Sequence, residues 1–315
     1  MTTNLDKPSP VQFVTAGTDD ENRRLDNYLM ARLKGLPRTR IYQMLRRGEV
    51  RVNKGRVKQS YRLRIGDVIR IPPVRLNVSE PGRQPPGYLL EMVKNASIYE
   101  DEELLVLNKP AGVVVHGGSG RSFGVIELLR HLRPEEEHLQ LAHRLDQDTS
   151  GCLVLCKSVT GLRHLQDDFR EGRVVKSYIA LLKGDIGRQA VDVKLPLKKN
   201  MLSSGERIVR VDDSGKAAES RFMRTRKYQS SCLADVGIIT GRTHQIRVHA
   251  SHLGHALAGD EKYGDSDFNS LLRKRGLKRL FLHASKLTLR PGSSRELVLQ
   301  APLASDLESF LRHHE

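Results

Sequence analysis

The sequence predicts an α+β fold in two parts, a small basic domain followed by a larger domain on a mixed, largely antiparallel sheet. Two observations carry this. Apolar runs such as CLVLC (Cys152 to Cys156) and LFLHASKLTL (Leu280 to Leu289) read as strands, but strands and helices do not alternate strictly, as a doubly wound parallel sheet would require. The positive charge is also concentrated near one end: residues 20–75 hold 16 Lys/Arg and 5 Asp/Glu, so most of the net charge of +16 lies there.

Residues 1–19 read as a loose polar arm. From Arg23 to Leu33, Leu25, Leu29 and Leu33 fall four apart on one helical stripe. Arg38 to Arg47 repeats the pattern with Ile41 and Leu45, and Gly48 stops it, as glycine does just past a helix end. Glu49 to Val52 predicts a short strand and Asn53-Lys54-Gly55 a turn. Leu63 to Ile71 closes the domain around Gly66-Asp67. Pro72 to Leu90 holds five of the thirteen prolines and no apolar periodicity, so residues 76–90 are expected to link the domain of 20–75 to one of 91–315. In the latter, Leu104 to Leu107, Leu153 to Leu155 and Ser177 to Leu182 predict strands. Leu162, Leu165 and Phe169 predict a helix ended by Gly172. Ile246, Ala250 and Leu253 predict another, capped by Thr243 with Arg247 on its second turn.

An excess of 53 Lys+Arg over 37 Asp+Glu favours a polyanionic partner. No apolar run approaches the roughly 18 residues of a membrane span, and the N-terminus has no signal pattern, so a membrane role is set aside and a cytoplasmic location expected. Cys152, Cys156 and Cys232 form no CxxC pair and read as buried thiols. In the basic domain Arg38, Arg40, Arg46, Arg47, Arg51, Lys54, Arg56 and Lys58 could line one surface and neutralise phosphates. Tyr28, Tyr42 and Tyr61 are too few for a base-stacking platform, which points to folded RNA read by shape and backbone. RRLDNYL, RTRIYQMLRRGEVRVNKGRVK and GDVIRI together resemble the S-four type of RNA-binding domain.

Four clusters stand out in the larger domain. NKPAG (Asn108 to Gly112), followed by HGGSG (His116 to Gly120), reads alone as a turn and fits neither a P-loop nor a dinucleotide fingerprint. HRLDQDTSG (His143 to Gly151) sets Asp146 at the mouth of a buried strand beside Arg144, a long cation with no evident structural purpose. Asp148, Thr149 and Ser150 read as turn residues. KSYIAL (Lys176 to Leu181) places Tyr178 in a strand, where tyrosine is usually core. GRTHQIRVH (Gly241 to His249) puts Arg247 on a mostly apolar helix, where an inward guanidinium needs a carboxylate partner.

In order and wording these clusters resemble the RluA family of pseudouridine synthases, from about Arg23 to the C-terminus. The resemblance implies that Asp146 is the catalytic carboxylate, Tyr178 the active-site tyrosine, Arg247 the partner of Asp146, and that LFLHA, with Leu282, lines the pocket. It implies conversion of uridines to pseudouridine in large-subunit (23S) ribosomal RNA, naked or partly assembled, by a monomer. The reaction gains and loses no atoms, so no cofactor and no metal is expected. Arginine beside a shielded carboxylate favours its charged form, and Arg144 could fill the gap left by an extruded nucleotide. Three alternatives stay open: a transfer-RNA substrate, a non-catalytic RNA-binding ribosome-assembly protein, and a metal-dependent nuclease using His143, Asp146 and Asp148.

Overall fold

A computed structural model describes residues 10–33, 36–74, 84–117, 123–201, 207–289 and 296–314. The chain divides into two compact units, 1–84 and 85–315.

The first unit packs helices α1 (Leu25–Arg32) and α2 (Arg38–Arg47) with strands β1 (Gln12–Thr15), β2 (Arg51–Val52) and β3 (Val68–Ile71), in sheet order β1-β3-β2. The four-residue stripe is buried as its spacing requires: Leu25, Leu29, Leu33, Ile41 and Leu45 share one core with Ile69 and Ile71. Gly48 ends α2 in the left-handed region at φ 68°, where a Cβ would strike the Arg56 side chain. Asn53 and Lys54 both take positive φ in the expected turn. The polar arm needs correction, since Gln12–Thr15 is a strand paired with β3. Its alternating inward and outward residues, with Phe13 exposed, suit an edge strand. Residues 1–9 lie outside the described residues.

The second unit is built on a sheet whose main path runs β4-β5-β7-β14-β8-β13-β12-β9. These are β4 (Ser97–Glu100), β5 (Leu104–Lys109), β7 (Ser150–Cys156), β8 (Val175–Lys183), β9 (Val191–Lys194), β12 (Glu219–Lys227), β13 (Ser231–Ile238) and β14 (Leu282–Leu289). Strand β6 (Gln140–Leu141) adds to β7 and β15 (Leu297–Gln300) to β14, while β10 (Leu197–Met201) and β11 (Arg207–Val211) form a separate hairpin. The β7–β14 pair is parallel and the other described pairings are antiparallel, the mixed α+β sheet that the sequence predicts.

Strand β7 is buried along its whole length because both faces are covered. Leu153 and Leu155 face the cluster that includes Val93 of α3 (Gly87–Lys94) and Leu128 of α4 (Val125–Leu132). Cys152, Val154 and Cys156 face the cluster that includes Leu162 and Leu165 of α5 (Val159–Arg170). A strand enclosed on both sides reads as a continuous apolar run. The three cysteines are free and buried. The linker also needs correction: residues 75–83 lie outside the described residues, but Gly87–Lys94 is helical. Pro86 occupies the N-cap position with φ −57°, so the last proline of the run starts a helix rather than extending a spacer.

Candidate active site

Three of the four clusters reach one cleft of about 900 Å³, through His116, through Arg144 and Asp146, and through His244 and Arg247, with Asp260 and Lys262 also on its wall. Asp146 lies in the loop that leads into β7, four residues before the strand begins at Ser150. Its carbonyl accepts the Thr149 N–H at 3.2 Å, a turn that delivers the chain into the buried strand. At the start of that strand Gly151 takes φ 112°, and a Cβ there would run into the Ala284 backbone of the parallel neighbour β14. Only glycine tolerates both conditions.

Behind the loop sits Lys109, the last residue of β5 and fully buried. Its ammonium donates to the carbonyls of Pro110 at 2.7 Å, Val113 at 2.9 Å and Gln147 at 3.0 Å. Gly112 N–H also donates to the Gln147 carbonyl at 2.9 Å. The NKPAG turn is thus a brace for the residue next to Asp146, a role its sequence alone did not reveal. Burial pulls the Lys109 ammonium down to about 7, opposed by Asp148 and Asp146, while the three carbonyls accept its N–H groups.

Helix α6 (Gln245–His252) carries Arg247 in its first turn. The expected Thr243 cap is not formed. His244 is the N-cap residue, in the left-handed region at φ 55°, with no side-chain cap bond. Gln245 closes the turn instead: its Oε1 accepts from Thr240 Oγ1 at 2.7 Å and from Arg242 N–H at 3.0 Å, and its Nε2 donates to the Glu219 carbonyl of β12 at 2.8 Å. One glutamine does the tying that was expected of threonine, and the helix starts one residue later.

Arg247 and Asp146 do meet, with Nη1 3.9 Å from Oδ2. The tight partner of Arg247 is another residue. Asp260, in the loop after α6 and with its side chain wholly buried, takes Nε at 2.7 Å and Nη2 at 2.7 Å. Burial works against the Arg247 charge, but the Asp260 fork outweighs it and the guanidinium is held above its ordinary value. Asp260 also accepts the N–H groups of Lys262 and Tyr263, and Arg247 lies over the Tyr263 ring at 5.1 Å. Sequence reasoning missed Asp260 and Tyr263. The only available signal was that a buried arginine needs a carboxylate, and many carboxylates were candidates.

A recess of about 80 Å³ opens beside Asp146, lined by Tyr178, Leu282, Arg144 and Thr149. Tyr178 is half-buried on β8, packed between two cores, and burial pushes its phenol well above the ordinary range, with Asp146 adding to the push. Leu282 is buried at the start of β14. Arg144 is exposed at the cleft. His143 turns elsewhere: its Nε2 accepts the Val154 N–H at 3.0 Å and its ring packs on Phe169.

In the first unit Arg46, Arg47, Arg51, Lys54, Arg56 and Lys58 are exposed, while Arg40 is paired with Glu49 at 2.9 Å. The Arg38 side chain lies outside the described residues, as do residues 118–120 of the HGGSG stretch.

A carboxylate facing an anchored guanidinium beside an aromatic recess suits chemistry on a nucleoside. Comparison with known proteins gives the same class. The family described as RNA pseudouridylate synthase matches residues 103–252, and the S4 domain matches residues 23–69. The chain belongs to the RNA pseudouridylate synthase family. A relative from Pasteurella multocida (strain Pm70), named Ribosomal large subunit pseudouridine synthase C, is 48% identical over 305 residues, 96% of this chain and 93% of its own. One of the same name from Escherichia coli (strain K12) is 47% identical, covering 96% of each chain. Among solved structures, Human RNA Pseudouridylate Synthase Domain Containing 4 aligns with TM-score 0.60 at 28% identity, over 72% of this chain and 95% of that one.

Proposed function

We propose that this protein converts selected uridines of large-subunit ribosomal RNA to pseudouridine, with Asp146 as the essential carboxylate. The observation that carries the reading is Asp146 Oδ2 at 3.9 Å from a buried, anchored Arg247 in the cleft. The near full-length similarity to enzymes named for that substrate supports the choice of RNA.

The reaction breaks the bond between uracil N1 and sugar C1′, turns the base over, joins C5 to C1′, and moves the C5 proton onto solvent while N1 gains one. Asp146 starts it, as nucleophile or as base on the sugar 2′-proton. Arg247 keeps a positive charge beside that carboxylate. Tyr178 and Leu282 hold the detached uracil so that it rejoins before it diffuses away. Arg144 occupies the stack vacated by the extruded nucleotide, a step that costs a few kcal/mol. The exposed cations of the first unit offset this cost through phosphate contacts elsewhere on the RNA. The enzyme acts as a monomer on naked or partly assembled RNA in the cytoplasm.

Mapping pseudouridines in cells lacking the protein tests the assignment. Loss at discrete large-subunit sites, restored by wild type and not by Asp146→Asn, is expected. Intact ribosomal RNA with loss in transfer RNA would redirect the substrate, and no loss anywhere would refute catalysis.

A further inference from the structure

His244 sits at the centre of the site without a role in the account above. It is the N-cap of α6 in a left-handed backbone conformation, at φ 55° and ψ 20°, that glycine or asparagine adopts more readily. The turn tolerates an imidazole but does not require one, since glycine or asparagine would serve it as well. The ring is largely enclosed and held at one nitrogen: Nδ1 is 2.8 Å from the Tyr263 hydroxyl, while Nε2 faces Asp146 Oδ2 at 3.8 Å, beyond hydrogen-bond reach.

The surrounding bonds select a tautomer. The Tyr263 oxygen already accepts the Val209 N–H at 2.9 Å, so its own proton is available to His244 Nδ1. The neutral ring then carries its hydrogen on Nε2, facing the carboxylate. The other tautomer would set a lone pair against a carboxylate oxygen. Asp146 Oδ2 therefore lies between two donors, Arg247 Nη1 at 3.9 Å and His244 Nε2 at 3.8 Å, neither close enough to lock it.

We infer that His244 is a positioning residue: Tyr263 orients its Nε2–H at Asp146, so that histidine and Arg247 together aim the carboxylate at the substrate. The inference rests on Asp146 being the essential group. The groups facing the ring are Asp146 from the loop before β7, Arg247 from α6, and Asp260, Lys262 and Tyr263 from the loop after it. Burial holds the imidazole below its ordinary range, Asp146 pulls it back, and Arg247 and Lys262 reinforce burial. Near neutral pH the ring is a neutral donor. Acid turns it into an imidazolium that closes on Asp146 and restrains the carboxylate in place of aiming it.

The test uses full-length enzyme in excess over large-subunit RNA. His244→Asn, which tolerates the left-handed backbone, lowers the single-turnover rate about a hundredfold, the scale of a small misplacement, with RNA affinity within twofold and the acid limb of the pH profile shifted. His244→Gln can present an amide N–H near the place of Nε2 and recovers much of the rate. Tyr263→Phe keeps the ring beneath Arg247 but frees the tautomer. It slows the reaction severalfold, and adding it to His244→Gln costs nothing further. A folded His244→Asn with a rate within twofold and an unmoved acid limb overturns the inference. If that variant does not fold, additive losses in Tyr263→Phe, His244→Gln and their combination overturn it. An inactive Asp146→Asn beside normal His244 variants would leave the proposed function standing while this inference fails.

Discussion

Arg247 closes a two-pronged pair on Asp260 and turns only its Nη1 amine towards Asp146, at 3.9 Å. The rigid ion pair of the site is therefore Arg247–Asp260 and not Arg247–Asp146. A buried fork fixes the guanidinium, and Asp146, the carboxylate proposed to react, is left close to a positive charge but free of a direct bond to it. Asp260→Asn should strand a buried cation and lower unfolding free energy by roughly 3 kcal/mol. Urea denaturation measures this, and a change under 1 kcal/mol would contradict the anchoring role.

Lys109 gives a second prediction. Lys109→Met fills similar volume but leaves the buried carbonyls at Pro110, Val113 and Gln147 without a donor. Each unsatisfied group costs about 1–3 kcal/mol, so the variant should lose several kcal/mol or fail to fold. Wild-type stability would mean that water replaces the ammonium.

Tyr178 separates stacking from proton transfer. Burial and the nearby Asp146 make its phenol hard to ionise, so as a base it needs a relay. Tyr178→Phe should therefore keep RNA affinity and most of the rate, whereas a loss of about a hundredfold, the lower range for a lost acid–base group, would show that the hydroxyl moves a proton. Full activity would leave stacking as its only role.

The buried side of His143 sets a pH response of stability. Burial and Lys176 lower its imidazole from 6.5 to about 4 in the fold. Between those values the unfolded chain binds the proton first, so the contribution is full above 6.5 and is lost as pH falls towards 4. It amounts to roughly 3 kcal/mol. His143→Gln, whose amide oxygen can still accept the Val154 N–H, should flatten this part of the denaturation profile. Equal slopes in both proteins would contradict it.

The N-terminal unit should act on affinity rather than chemistry. Removing residues 1–84 should weaken RNA binding and reduce its dependence on salt, because phosphate-neutralising cations are lost. An unchanged salt slope would place the RNA grip in the second unit alone.

Local pattern made much of this legible. The leucines of α1, the glycine that ends α2 and the doubly buried β7 follow directly from spacing and composition. The clusters holding Asp146, Tyr178 and Arg247 were visible as sequence, and the sheet brings those three side chains to one small recess. Asp260, Tyr263 and the brace from Lys109 were not visible, since each matters through tertiary contacts that no helix or strand periodicity specifies. The Thr243 cap failed for a related reason: Gln245 reaches β12, a contact that no helix-start rule contains. The edge strand at Gln12–Thr15 was hidden because one alternation of four residues resembles a polar tail.

The most direct measurement follows hydrogen released from C5 of labelled uridine in large-subunit RNA, with Asp146→Asn in excess over substrate. The variant should melt like wild type, bind the RNA, and release no label. Release at the wild-type rate would show that the carboxylate facing Arg247 is not the group that starts the reaction.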